Sequence, residues 1–141
     1  MSTIYIRDLI ILINENKDFS NMELLKKYLI KSIINWRDYV IFNKYNYSKN
    51  IIYRNTIFEI IMISWLPGQN TRLHGHPKNG CLMKVLYGTL NEVLFINNKT
   101  YTETKINTNE TTFIKNNKHI ISNISNKCCI SIHIYSPPNY Y

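Results

Sequence analysis

The chain has 141 residues, and its 17 Lys and Arg against 9 Asp and Glu give a formal charge of +8. That length suits a single domain, 1–141, with a real core. The basic residues are scattered and no nucleic-acid motif accompanies them, so the charge reads as solvated surface, with no nucleic-acid or membrane partner.

In chain order, residues 1–45 read as a helical N-terminal part. Ile4 to Ile13 is an apolar-rich segment. Ser20-Asn21-Met22-Glu23 has the form of a capping box, in which the Ser20 hydroxyl accepts from the Glu23 amide and Glu23 reaches back. After it, Leu25, Tyr28, Leu29 and Ile33 fall at helical spacing on one face. The spacing predicts a helix that covers a sheet. From residue 51 the texture changes. Short β-branched and aromatic runs predict strands at Ile57–Leu66, Cys81–Tyr87, Leu90–Ile96, Thr111–Ile114, His119–Ile124 and Cys129–Tyr135. Glycines and Asn pairs punctuate them. Many short strands with no helices between them imply an antiparallel sandwich or barrel over 51–138. No apolar run reaches the roughly 20 residues needed to span a bilayer, and no secretory leader pattern is present. Cys81, Cys128 and Cys129 make an odd count, which implies reduced thiols and a cytoplasmic setting.

The chain has four histidines. His74 and His76 are two apart, and in a strand such residues share a face, so both imidazoles could reach one cation. Gly68, Cys81 and Gly88 flank them at the spacing of the first cupin motif, Gly-x5-His-x-His-x4-Glu-x6-Gly, with Cys81 in the Glu place. His119 and Asn123 match the His-x3-Asn end of the second cupin motif, but Ile114 and Asn116 stand where its Pro-x-Gly would be. The two motifs together give three neutral ligands, His74, His76 and His119, with positions left open for an anionic ligand and for dioxygen. A closed zinc site with Cys81 as the fourth ligand uses the same residues. In the last strand, Ile130, Ile132 and Ile134 alternate with Ser131, His133 and Tyr135. The pattern leaves open whether the polar row is an internal hydrogen-bond relay or a solvent face.

The segment from Ser64 to Phe95, with Arg54-Asn55 before it and Ser131-x-His133-x-Tyr135-Ser136-Pro137-Pro138 after it, resembles the cysteine dioxygenase family over residues 50 to 138. The resemblance implies a mainly β cupin, a jelly-roll β-barrel with N-terminal helices packed outside. It implies Fe(2+) on His74, His76 and His119. It implies Arg54 on the substrate carboxylate, and Cys81 and Tyr135 as the pair that forms a thioether-linked cofactor in animal-type members. It places His133 and Ser131 in the network that orients the Tyr. The implied reaction converts L-cysteine and dioxygen to cysteine sulfinate, in a monomer. Two features depart from the pattern: Ile52 stands where the family commonly has Tyr, and the chain stops soon after Pro138. The alternatives are a dioxygenase for another small thiol, 3-mercaptopropionate, and a non-catalytic metal-binding cupin that acts as a sensor.

Overall fold

The strands follow from period-2 patterning laid over two apolar layers. The structure is a computed structural model that describes residues 2–16, 18–97 and 99–139. After a two-residue strand β1 (Thr3–Ile4), helix α1 (Ile6–Asn14) buries Ile6, Leu9 and Ile13 at helical spacing. A 3-10 turn (Met22–Leu25) runs into the short helix α2 (Lys26–Leu29). The chain then reaches β2 (Ser32–Ile33), which pairs in parallel with β1. A second 3-10 turn (Trp36–Tyr39) precedes β3 (Ser48–Arg54), β4 (Glu59–Trp65), β5 (Gly80–Tyr87), β6 (Leu90–Ile96), β7 (Thr100–Ile106), β8 (Thr111–Ile114), β9 (Lys118–Ser122) and β10 (Cys129–Ser136).

The main strands form two antiparallel sheets, ordered β3-β4-β10-β5-β8 and β7-β6-β9. One apolar cluster lies between the sheets and contains Ile61, Ile63, Trp65, Met83, Val85, Leu90 and Ile121. The other lies on the outer face of the five-stranded sheet. There Ile60, Met62, Leu82, Ile130, Ile132 and Ile134 meet Ile6, Leu9, Met22, Leu25 and Leu29 of the helical segment. The helices therefore cover the sheet from outside, as the sequence implies. They are shorter than their spacing suggests, and Ile33 lies in β2 rather than in a helix.

The capping box does not form. Ser20 gives both its backbone N–H (2.9 Å) and its hydroxyl (2.6 Å) to the Asp18 carboxylate. That competing local turn leaves Asn21 at the N-cap with no side-chain cap bond. Tertiary contacts hold the segment instead. Lys84 on β5 is buried, and its ammonium donates to the carbonyls of Leu29 (2.7 Å) and Lys31 (3.0 Å). Burial without an acceptor would be costly for that cation, and the end of α2 supplies two.

Two glycine positions explain how β5 is seated. Gly80 has φ +97°, and a Cβ there would lie 2.6 Å from the Ile114 carbonyl oxygen. Gly88 has φ +87°, and a Cβ there would meet the Cys128 carbonyl oxygen at 2.8 Å. Only glycine allows both the left-handed conformation and the close approach. Among the described residues, no helix is long and apolar enough to cross a membrane.

Candidate metal centre and its relay

His74 is not in a regular strand. It forms an isolated bridge with His119 at the start of β9, with His74 N–H to His119 carbonyl at 3.1 Å and the reverse bond at 3.0 Å. This pairing, more than strand alternation, sets His74 beside the downstream ligand. His119 Nε2 lies 3.0 Å from His74 Nε2 and 2.9 Å from His76 Nε2. The three form the group among the described residues that could hold a metal ion.

Each ring is locked by its other nitrogen. His74 Nδ1–H donates to the Arg72 carbonyl (2.8 Å), and His76 Nδ1–H to the Asn117 carbonyl (3.2 Å). His119 Nδ1–H donates to the buried Glu92 carboxylate (2.8 Å). These acceptors hold the proton on Nδ1 and leave three Nε2 lone pairs facing one point, the usual outer-shell arrangement of metal-ligating histidines. Burial favours the neutral form at His74 and His76: it lowers His74 and brings His76 down to about 3, with the neighbouring His119 adding to the effect. Three ring nitrogens converging this closely are best accommodated around a cation.

The three ligand atoms lie within 4.8 Å of one another, and Cys81 does not join the group. Three neutral nitrogens without the thiolate fit a divalent metal with open positions better than a closed zinc site with Cys81 as the fourth ligand.

The polar row of β10 faces this centre from across the cavity. Ser131, His133 and Tyr135 are all buried, as are the alternating isoleucines, so both faces of the strand are internal. Trp65 Nε1–H donates to Ser131 Oγ (2.9 Å), which is hydrogen-bonded to His133 Nε2 (2.7 Å). His133 Nδ1 lies 3.5 Å from Tyr135 Oη and 3.9 Å from Cys81 Sγ. Cys81 is the cross-strand partner of Tyr135 and shares a hydrogen bond with its phenol. Burial, followed by the contact with Cys81, pushes the Tyr135 phenol well above its ordinary value, and burial likewise raises the Cys81 thiol. Both groups stay protonated near neutral pH.

Arg54 stands in the cross-strand row of Tyr135 and Cys81 and is paired with a carboxylate. Its Nε donates to Glu59 Oε2 at 2.8 Å, and Glu59 is fully buried. The cavity between the centre and the relay holds about 510 Å³, and Arg54 does not line it. Tyr53 faces the helical side, where its ring packs on Phe58 and its hydroxyl accepts from Asn14 Nδ2 (2.8 Å). Glu92 escaped sequence reasoning, as did the lining residues Tyr47, Lys49 and Arg72. The Glu92 signal was present: a carboxylate inside the apolar run Leu90–Ile96. Asn123 fills its motif position structurally. Fully buried, it donates to the carbonyls of Trp65 and Lys127 and accepts from Ser125.

Fold and site together define a three-histidine cupin. A Klebsiella pneumoniae protein with a double-stranded β-helix domain matches the fold at TM-score 0.61 and 19% identity, over 77% of this chain and 92% of that one. The Thermus thermophilus protein TT1209 matches at TM-score 0.63 and 17% identity, over 75% and 97%. The chain belongs to the family described as cysteine dioxygenase type I, whose model matches residues 6–140. Human cysteine dioxygenase type 1 is 30% identical over 114 residues, 73% of this chain and 57% of the human protein. The zebrafish protein of that name is 27% identical over 115 residues. The chain thus spans little more than half the length of these curated relatives.

Proposed function

We propose that the protein is a non-haem iron thiol dioxygenase that converts L-cysteine and dioxygen to cysteine sulfinate. The convergence of three Nε2 atoms, each with its Nδ1–H tied down, is the observation that carries this reading. An Fe(II) ion held by His74, His76 and His119 would supply the Lewis acidity that deprotonates a thiol and the redox capacity that dioxygen chemistry needs. The overall change is balanced: one thiol and one dioxygen give one sulfinic acid, with both oxygen atoms on sulfur.

The chain's own groups have defined tasks. Glu92 and the Arg72 and Asn117 carbonyls hold the rings at fixed orientation, so little reorganisation is needed when ligands exchange. The Trp65–Ser131–His133 chain holds the His133 ring beside the Tyr135 phenol. The Tyr135 phenol stays protonated and can donate from Oη into the cavity. Its pairing with Cys81 supports a Cys81–Tyr135 thioether, whose formation removes two hydrogens, about 2 Da, under an oxidant such as dioxygen.

The position of Arg54 favours keeping a second substrate in view. Arg54, which the resemblance sets on the substrate carboxylate, is paired with the buried Glu59 and is not among the residues that line the cavity. The test is anaerobic loading with Fe(II), followed by dioxygen uptake and product analysis with each thiol. L-cysteine is expected to give sulfinate with stoichiometric uptake. Faster turnover of 3-mercaptopropionate would reassign the substrate, and no uptake with either would overturn the dioxygenase reading in favour of a sensor.

A further inference from the structure

We propose that Gln69 is a positioning residue for the thiol site: its side-chain amide ties the segment that carries Tyr47 to the loop that carries His74, and so sets how far the mouth of the cavity opens. This rests on the thiol-binding reading above and adds a control on which thiols reach the centre.

The cavity has two rims from separate parts of the chain. Asn46 and Tyr47 line it on the approach to β3, and Asn70, Thr71 and Arg72 line it from the loop after β4. Asn46 and Arg72 are exposed, whereas Cys81, His119, His133 and Tyr135 are buried, so the rims mark the mouth and the site lies at the floor. The loop rim is firmly held. Gly68 N–H donates to the Asn123 carbonyl and Asn123 N–H to the Gln69 carbonyl, each at 2.8 Å. Thr71 N–H donates to the Ile121 carbonyl (2.8 Å), and the His74–His119 bridge follows. The other rim is shaped by its own side chains. Asn43 Oδ1 accepts from Tyr45 N–H and Asn46 Oδ1 from Tyr47 N–H, both at 2.9 Å. Those local bonds bend the segment without anchoring it.

Gln69 supplies an anchor. Its Oε1 accepts from Leu66 N–H (2.8 Å), and its Nε2–H donates to the Asn43 carbonyl (2.6 Å). The opposite amide orientation would set donor against donor and acceptor against acceptor, so both ends are specified. The anchored segment leads to an aromatic pair. The Tyr47 ring stacks on Trp65 with centroids 4.9 Å apart, and Trp65 donates to Ser131 of the relay. Trp65 lines the cavity yet is fully buried, with the half-buried Tyr47 over it. Burial raises the Tyr47 phenol and the charge of Arg72 opposes that rise, so the two rims lie within electrostatic reach of each other. Freeing Asn43 lets Tyr47 leave Trp65, widens the mouth and admits water to the relay.

The experiment reads Trp65 fluorescence in a Trp36→Phe background, which removes the other of the two tryptophans. Acrylamide quenching is measured on metal-free protein. Dioxygen uptake is measured on Fe(II)-loaded protein with L-cysteine and with the longer L-homocysteine. Gln69→Leu loses both bonds; Gln69→Glu keeps the acceptor for Leu66 but turns an oxygen toward the Asn43 carbonyl. Each is expected to keep the parent's circular dichroism and to raise quenching about two- to ten-fold, the range for one net hydrogen bond. The ratio of homocysteine to cysteine turnover is expected to rise with it. Tyr47→Leu should raise quenching by itself, and adding Gln69→Glu to it should change nothing further. Parental quenching in Gln69→Glu would overturn the proposal. So would fully additive effects of Gln69→Glu and Tyr47→Leu, raised quenching with an unchanged thiol ratio, or unfolding of both Gln69 variants. A parent that consumes no dioxygen with either thiol sinks the dioxygenase reading instead, and quenching still decides whether Gln69 holds Tyr47 on Trp65.

Discussion

Both faces of the five-stranded sheet are buried, yet they are filled on different terms. The outer face presents Ile60, Met62, Leu82, Ile130, Ile132 and Ile134 to the helical segment, in contacts that any apolar group of the right volume could make. The inner face presents Glu59, Ser131, His133 and Tyr135 among apolar neighbours, and each polar atom there has a specific partner. The same strands carry both, one residue apart. Stability is concentrated on one side of the backbone and chemistry on the other, so substitutions at adjacent positions should have separable effects.

The sharpest break in that comparison is expected at the metal centre. His119→Ala should reduce bound iron and thiol-dependent dioxygen uptake to background while leaving the melting curve of metal-free protein largely in place; metal analysis and calorimetry check this. Next comes Ile132→Ala on the outer face. It should cost about 2–5 kcal/mol of stability, read by denaturant unfolding, with uptake per folded molecule unchanged. A loss of turnover as large as the loss of stability would show that the faces are coupled. Glu92→Gln should weaken metal affinity about 10–100-fold, measured by chelator competition, because the carboxylate that orients His119 is lost.

Acid should act on the inner face. Burial holds His76 at about 3 and His133 well below 6.5, so both are neutral in the folded, metal-free protein and protonate more readily when unfolded. Their contribution to stability is complete above about pH 6.5 and is lost as pH falls toward the folded values. The melting temperature of metal-free protein should therefore fall between about pH 6.5 and 4.5, and a His133→Gln variant should show a shallower slope. The smallest effect is expected at Trp65→Phe, which removes the donor to Ser131 and should cost about 1 kcal/mol, with a modest fall in turnover.

Much of the fold was legible where patterning and punctuation agree. The strands Leu90–Ile96 and Thr111–Ile114 fall where the alternation puts them, and β4, β5, β9 and β10 differ from expectation only at their ends. β3 and β7 were not read. Ser-Lys-Asn opens the first, and Thr-Tyr-Thr-Glu-Thr-Lys in the second is an edge strand with many polar residues; pairing defines both more than composition does. At the site, the histidine spacing marked the three residues that cluster, while the Ser-x-His-x-Tyr row left open an internal or a solvent face until the burial of both faces of β10 was known. Glu92 could be paired with His119 only once β6 and β9 were known to be neighbours. The pairing of Arg54 with Glu59 depends on a one-residue irregularity in β3 that leaves no mark in the sequence.

The Lys84 ammonium has a further consequence for how the chain can be cut. It binds the end of the helical segment from the strand that also carries Cys81. Deleting the first 45 residues would strand that cation inside an apolar layer and lay the outer isoleucines open to water. The barrel is therefore not a detachable module, and trimming its amino-terminal cap should yield aggregates rather than a smaller working protein.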